Sequence, residues 1–331
     1  MFFRITGFCL GLGLIASSTY ADMRINQGFE TCTRFFHGNA APLITNKALQ
    51  KNNYQICFSG MAVSYSGSHK TGLFSAEYVT SESLKRAKSI NRQDNFHEES
   101  KIPFKFRSTL DDYRGSGFDR GHLAPNGNRS DRTDQYESFS LANIAPQAPL
   151  NNQEAWRLAE EATRAFITRT KQPAYIITGT LFKGGYKKIG KGVAVPTHIY
   201  KVVYYPTLNS MSAYVTVNDN SGKIDYVSVM QLQEQTGITY FPALKDTSLL
   251  TQRVALPLNA NEAYKMTSLR RLGASQSYIF DQTQEKAFMP VPVKNINHKA
   301  KGQDVKALIK ANERQVKEAV KQSERVFKSI F

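Results

Sequence analysis

The sequence predicts an α+β fold: a mostly antiparallel central sheet flanked by helices. Three observations carry this. Clusters of β-forming residues separated by short Gly- and Ser-containing turns fill residues 54–79. From Phe118 to about residue 168 the pattern passes from strand through loop and second strand into a helical spacing. Further strand clusters follow between 175 and 217.

The chain opens with Met1-Phe2-Phe3-Arg4, an apolar run from Ile5 to Ala16, and the small residues leading to Ala21. A short basic start, an apolar middle and small residues near a cleavage point mark 1–21 as a secretory signal peptide. The run is short for a bilayer, and no other apolar stretch is long enough to cross one. The reading is therefore a periplasmic or secreted protein with no stable membrane span after cleavage. Removal of the signal deletes Cys9 and leaves Cys32 and Cys57. An oxidising compartment favours a disulfide between them; buried thiols or pairing with another chain are the alternatives.

Tyr54–Phe58, Met61–Tyr65 and Leu73–Val79 are the first strand candidates, with Ser59-Gly60 and Gly67-Ser68-His69 as turns. The polar stretch 81–106 reads as irregular. Phe118–Leu123 reads as a strand, 124–132 as a Pro-, Gly- and Asn-rich loop, and Phe139–Ile144 as a short strand. From Asn152, the residues Trp156, Ala159, Thr163 and Phe166 recur at helical spacing, with Asn151 or Asn152 as N-cap. Strands follow at 175–179, 193–196, 199–205 and 212–217, and Val227–Gln235 reads as helix. Residues 251–292 give no clear pattern. From Asp304 to Phe331 the pattern is a basic amphipathic helix, with Val305, Leu308, Ile309, Val316, Val320, Phe327 and Ile330 on one face. Such a helix packs on a core, or meets nucleic acid or a membrane surface. The organisation is thus a signal at 1–21, a main domain at 22–250 and an extension at 251–331.

The formal charge of +16 predicts a polyanionic partner but does not separate nucleic acid from anionic membrane or polysaccharide. The chemistry concentrates in 118–164. There Asp119-Arg120-Gly121-His122 is followed by Asn143-Ile144-Ala145-Pro146-Gln147, by Asn152 and Trp156, and by Glu160 and Arg164. An imidazole can take a proton from water near neutral pH. Oxygen donors can hold a hard divalent cation, and guanidinium groups can grip phosphate. Of the six histidines, only His122 has this context. This ordered set resembles the DNA/RNA non-specific endonuclease family, which has a ββα-metal active site. The segments around Thr178-Gly179 and Val193-Pro196-Thr197-His198 resemble it too.

The resemblance implies a sugar-non-specific endonuclease that cuts DNA and RNA to 5′-phosphorylated products. It implies Mg²⁺ as cofactor, with Mn²⁺ as an alternative, and nucleic-acid partners held through phosphates. His122 would be the general base. Asn152 would be the single direct protein ligand of the metal, and Glu160 would hold a metal-bound water. The residue before Glu160 is Ala159 where the family usually has leucine, which leaves Glu161 as a substitute. Arg120 would act on phosphate or pair with Asp119, and Arg92 and Arg164 would bind substrate; Arg164 could instead pair with Glu160 on the helix surface. Asp119 and Asn143 would support the site or serve purely structural roles. Gly121 would let the backbone bend beside His122. The competing class is a secreted basic nucleic-acid-binding protein with a degenerate nuclease site.

Overall fold

The computed structural model describes residues 28–273 and 279–281. The signal peptide expected at 1–21 and the basic amphipathic helix expected at 304–331 lie outside the described residues. The described residues build an α+β domain on a seven-stranded antiparallel sheet. From one edge its strands run Ile224–Val227, Ser210–Val217, His198–Tyr205, Ala174–Leu181, Thr71–Val79, Ala62–Ser66 and Asn53–Cys57. The β-branched and aromatic content of these segments fits a pleated, packed surface.

Both faces of the sheet are covered, and the interior strand His198–Tyr205 is buried along its whole length. Its Tyr200, Val202 and Tyr204 pack on one side with Phe29, Phe35, Phe36 and Phe241. Ile199, Val203 and Tyr205 pack on the other with Trp156, Ala159, Ala162 and Phe166. Alternate side chains thus serve opposite cores. The second core belongs to the helix Arg157–Thr170. Val254, Leu256 and Ala263, from the stretch without a clear sequence pattern, join it. Cys32 and Cys57 form a disulfide with their Cα atoms 5.6 Å apart, tying the N-terminal segment to the edge strand. Closing a loop of 25 residues removes unfolded-state freedom worth about 3 kcal/mol.

Several local expectations are corrected. The stretch 81–106 is not wholly irregular: Ser81–Ala87 is a helix, started by a reciprocal cap between Thr80 and Ser83. Its polar composition hides it, since only Ser81 and Leu84 are buried. Phe139–Ile144 is not a strand. Phe139 ends the helix Arg132–Ser138, Leu141–Asn143 is a 3₁₀ turn, and the strand is Ile144–Gln147. Val193–Pro196 shortens to a two-residue strand, Val193–Ala194. Val227 ends a strand, and the helix is Val229–Thr236 behind a Ser228 cap.

Candidate active site

A separate two-stranded hairpin carries the Asp-Arg-Gly-His motif. Asp119–His122 pairs antiparallel with Ile144–Gln147, so His122 lies opposite Ile144 and Asp119 opposite Gln147. The hairpin is rooted in the sheet. Thr71 Oγ1 donates to the Ile144 carbonyl at 2.9 Å, and Ser75 Oγ donates to Asn143 Oδ1 at 2.6 Å. Gly121 continues the regular pairing, and its role is close packing rather than a bend. A Cβ there would lie 2.7 Å from Gln147 Cβ, so any side chain would push the second strand away.

His122 stands between two aromatic rings. Phe139 meets it edge-on at 4.8 Å between centroids, and Phe96 lies at 5.4 Å. Its Nε2 is closed off from solvent and has no hydrogen-bond partner among the described residues. Nδ1 is not among the buried polar atoms left without a partner. Burial, helped by Arg92, Arg129 and Arg120 and opposed by Asp94, pushes the imidazole pKa down to about 3. The ring is therefore neutral at physiological pH, so one of its nitrogens carries an unprotonated lone pair.

Asn143 is fully buried and fully engaged. Its Oδ1 accepts from Ser75 Oγ and from the Ala124 N–H, while its Nδ2 donates to the carbonyls of Ala124 and Ser138. It fixes the chain immediately after His122, and no atom of its amide is left for water or metal. Of its two readings, the structural one fits this geometry.

The segment Asn151–Trp156 is a π-helical turn that leads into the helix Arg157–Thr170. Wide turns of this kind often occur at functional sites. Neither asparagine caps the helix. Asn151 points inward: its Oδ1 accepts from Gln147 Nε2, and its Nδ2 donates to Thr216 Oγ1, each at 2.6 Å. Asn152 points to the hairpin and donates through Nδ2 to Asp119 Oδ2 at 2.9 Å. Gln153 donates to the same oxygen at 2.8 Å. Asp119 therefore orients carboxamides rather than pairing with Arg120. The exposed Arg120 lies over the Phe96 ring at 4.3 Å, and the exposed Arg92 lies over Phe139 at 5.5 Å while pairing with Asp94 at 2.5 Å.

Asn218, which nothing in its sequence context singles out, braces the hairpin and the turn. Its Oδ1 accepts from Ala148 N–H, and its Nδ2 donates to the Pro146 and Pro196 carbonyls. An asparagine at the end of a strand carries no signal that separates this role from an ordinary turn.

Glu160 belongs to a second, buried charge cluster. Its Oε1 lies 3.7 Å from Lys201 Nζ, whose side chain is 2% exposed. Lys201 also donates to Thr178 Oγ1 at 2.6 Å and lies over the Trp156 ring. Burial raises the pKa of Glu160, while Lys201 and Arg164 oppose that shift. Arg164 reaches Asn128 Oδ1 at 3.4 Å instead of pairing with Glu160. Asn128 Nδ2 in turn donates to both oxygens of buried Glu77. Arg129 pairs with Glu77 and Asp134, and its charge also acts on His122, so the two clusters share it. Glu161 points away, pairing with Arg157 at 2.6 Å. Charged residues inside a core were not legible as such from sequence.

Among the described residues no three or more His, Cys, Asp or Glu side chains gather as a metal cage. The donor set is nonetheless suited to one hard cation that keeps most of its waters. Asp119 holds the Asn152 Nδ2, and Asn152 Oδ1 has no hydrogen-bond partner among the described residues. An oriented, partly exposed amide oxygen beside a carboxylate fits a single-ligand site.

Comparison with known proteins supplies the family. A family model described as DNA/RNA non-specific endonuclease matches residues 39–247. The chain belongs to this family. It is 32% identical over 208 residues to Nuclease C1 of Cunninghamella echinulata var. echinulata, covering 56% of this chain and 82% of that one. It is 37% identical over 165 residues to human mitochondrial endonuclease G, covering 46% and 52%. A nuclease of Nostoc sp. is 35% identical over 161 residues, covering 48% and 57%. The chain thus spans little more than half the length of the last two. Among solved structures, that of an EndoG/EndoGI complex, described as showing the mechanism of EndoG inhibition, superposes with a TM-score of 0.54 at 29% identity. It covers 59% of this chain and 88% of that one. The matched stretch contains every proposed site residue from Arg92 to Arg164.

Proposed function

We propose that this chain is a Mg²⁺-dependent endonuclease that hydrolyses phosphodiester bonds of both DNA and RNA. The observation that carries this reading is the link made by Asp119. It sits three residues from His122 on the same strand and holds the Asn152 amide. A neutral imidazole and an oriented amide oxygen are thereby fixed to one hairpin. Asn152 Oδ1 would hold the cation, which when bound would supply positive charge to the phosphate and the leaving oxygen.

His122 Nδ1 takes a proton from a water molecule, whose oxygen attacks phosphorus. The bond from phosphorus to the 3′ oxygen breaks, giving a 5′-phosphate, and the departing 3′ oxygen takes a proton from solvent to become a 3′-hydroxyl. Arg120 and Arg92, held over aromatic rings at the rim, grip phosphate oxygens. Glu160 accepts a hydrogen bond from water at the inner side of the site. Contacts made to phosphate carry no base or sugar information, which supports acceptance of both nucleic acids. The secretory leader expected from the sequence at 1–21, together with the Cys32–Cys57 disulfide, supports a periplasmic or secreted location. A gel containing DNA or RNA, run with and without EDTA, tests the reading. Clearing that disappears with EDTA and in His122→Ala is expected. Binding without clearing would instead favour a nucleic-acid-binding protein with a degenerate site.

A further inference from the structure

A pair of stacked rings beside the site is not used by the reaction. Tyr136, on the helix Arg132–Ser138, is 50% exposed. His97 covers it in parallel, with ring centroids 4.2 Å apart and planes 5° from each other. His97 is firmly held. Its Nδ1 meets the Asn95 carbonyl at 2.9 Å, its N–H donates to the Phe139 carbonyl, and its own carbonyl accepts from Leu141. The pair is therefore fastened to the chain on either side of Phe139, the ring that stands against His122. Tyr136 precedes Phe139 by three residues, about 5 Å of helix rise. Arg132 donates to the Asn91 carbonyl, which fastens the Arg92 segment to the same helix.

An exposed tyrosine backed by a parallel ring is pre-ordered to accept a third ring. Stacking of a base on an aromatic side chain is strong and indifferent to base identity, because every base has a π-face. Only a base that has left a duplex stack can lie on it. We infer that the Tyr136–His97 stack is a platform for one unpaired nucleobase next to the scissile phosphate. The platform makes single-stranded and locally melted nucleic acid the preferred substrate. This inference rests on the nuclease reading of the same site.

The test uses the intact protein and synthetic oligonucleotides. Binding in EDTA is measured alongside cleavage in Mg²⁺, so that failure of the platform is separable from failure of catalysis. Tyr136→Ala should raise both Kd and KM for a single strand by about fivefold to a hundredfold. Its kcat, and its KM for a stable duplex, should stay near wild type. Tyr136→Phe, which keeps the ring, should behave as wild type and controls for folding. An abasic nucleotide placed at successive positions should weaken wild type at one position and have little further effect there in Tyr136→Ala. Equal losses on single strand and duplex would overturn the inference. So would a Tyr136→Phe variant as impaired as Tyr136→Ala, or abasic effects that are the same in both proteins at every position.

Discussion

The hairpin cluster around His122 and the buried cluster around Glu77 and Lys201 use the same residue types to opposite ends. In the buried cluster charges meet charges: Arg129 lies between Glu77 and Asp134, and Lys201 lies beside Glu160. In the hairpin cluster the proposed site residues are less completely engaged. Arg120 and Arg92 rest on rings, and the Asn152 oxygen has no hydrogen-bond partner among the described residues. Chemistry belongs to groups that are held by one end and left open at the other. Arrangements closed at both ends hold the architecture. Glu160 sits at the seam, with its side chain 13% exposed.

The sharpest way to break this division is His122→Ala. Turnover should fall by about 10²–10⁴-fold, as expected for loss of a general base, with the melting temperature and oligonucleotide binding retained. Near-normal turnover in the purified variant would remove the hairpin from the reaction. The same residue sets a pH expectation. Because burial holds the imidazole down near 3, it stays in the proton-accepting form as the medium is acidified through the ordinary histidine range. The acid limb of kcat/KM should therefore fall well below 6.5. A limb centred near 6.5 would show that burial does not depress the His122 pKa in the free enzyme.

Arg129→Met probes the other side. It removes one cation from a buried pair and leaves Glu77 and Asp134 uncompensated. The cost should be about 3–5 kcal/mol in denaturant unfolding. A variant as stable as wild type would mean that these carboxylates are solvated or protonated without it.

Asn152→Ala should raise the Mg²⁺ concentration for half-maximal rate more than it changes substrate binding. Because Asn152 is not a helix cap, the melting temperature should move little. Glu160→Gln should shift the same titration less. An unchanged Mg²⁺ titration in Asn152→Ala would move the ligand role elsewhere. The smallest effect is expected of Glu161→Gln, which breaks only a surface pair with Arg157 worth about 0.3–0.5 kcal/mol. A large change in its metal titration would reverse the choice between the two glutamates.

Much of the architecture was legible because its cause is local. The strands announce themselves by clustered β-formers, and Asp119 to His122 by an unusual string. The helix Ser81–Ala87 escaped because a polar surface helix with two buried residues has almost no apolar periodicity. The π turn escaped for a different reason. Asn151 and Asn152 look alike in sequence, and only contacts with Thr216 and Asp119 decide which turns inward. The burial of Glu77, Arg129 and Lys201 was equally hidden, because a charged residue reads as solvated until its distant partner is in place. Lys201 and Glu160 meet across 41 positions of chain.

The wide turn has a mechanical consequence. Two adjacent asparagines anchor it, one to the sheet through Thr216 and the other to the hairpin through Asp119. The hairpin touches the first anchor as well, through Gln147. Asn152 is thus gauged from both sides across a single peptide bond, and its amide has little room to wander. A reacting centre built this way takes its dimensional tolerance from the stiffest part of the molecule, although the centre itself lies at the surface.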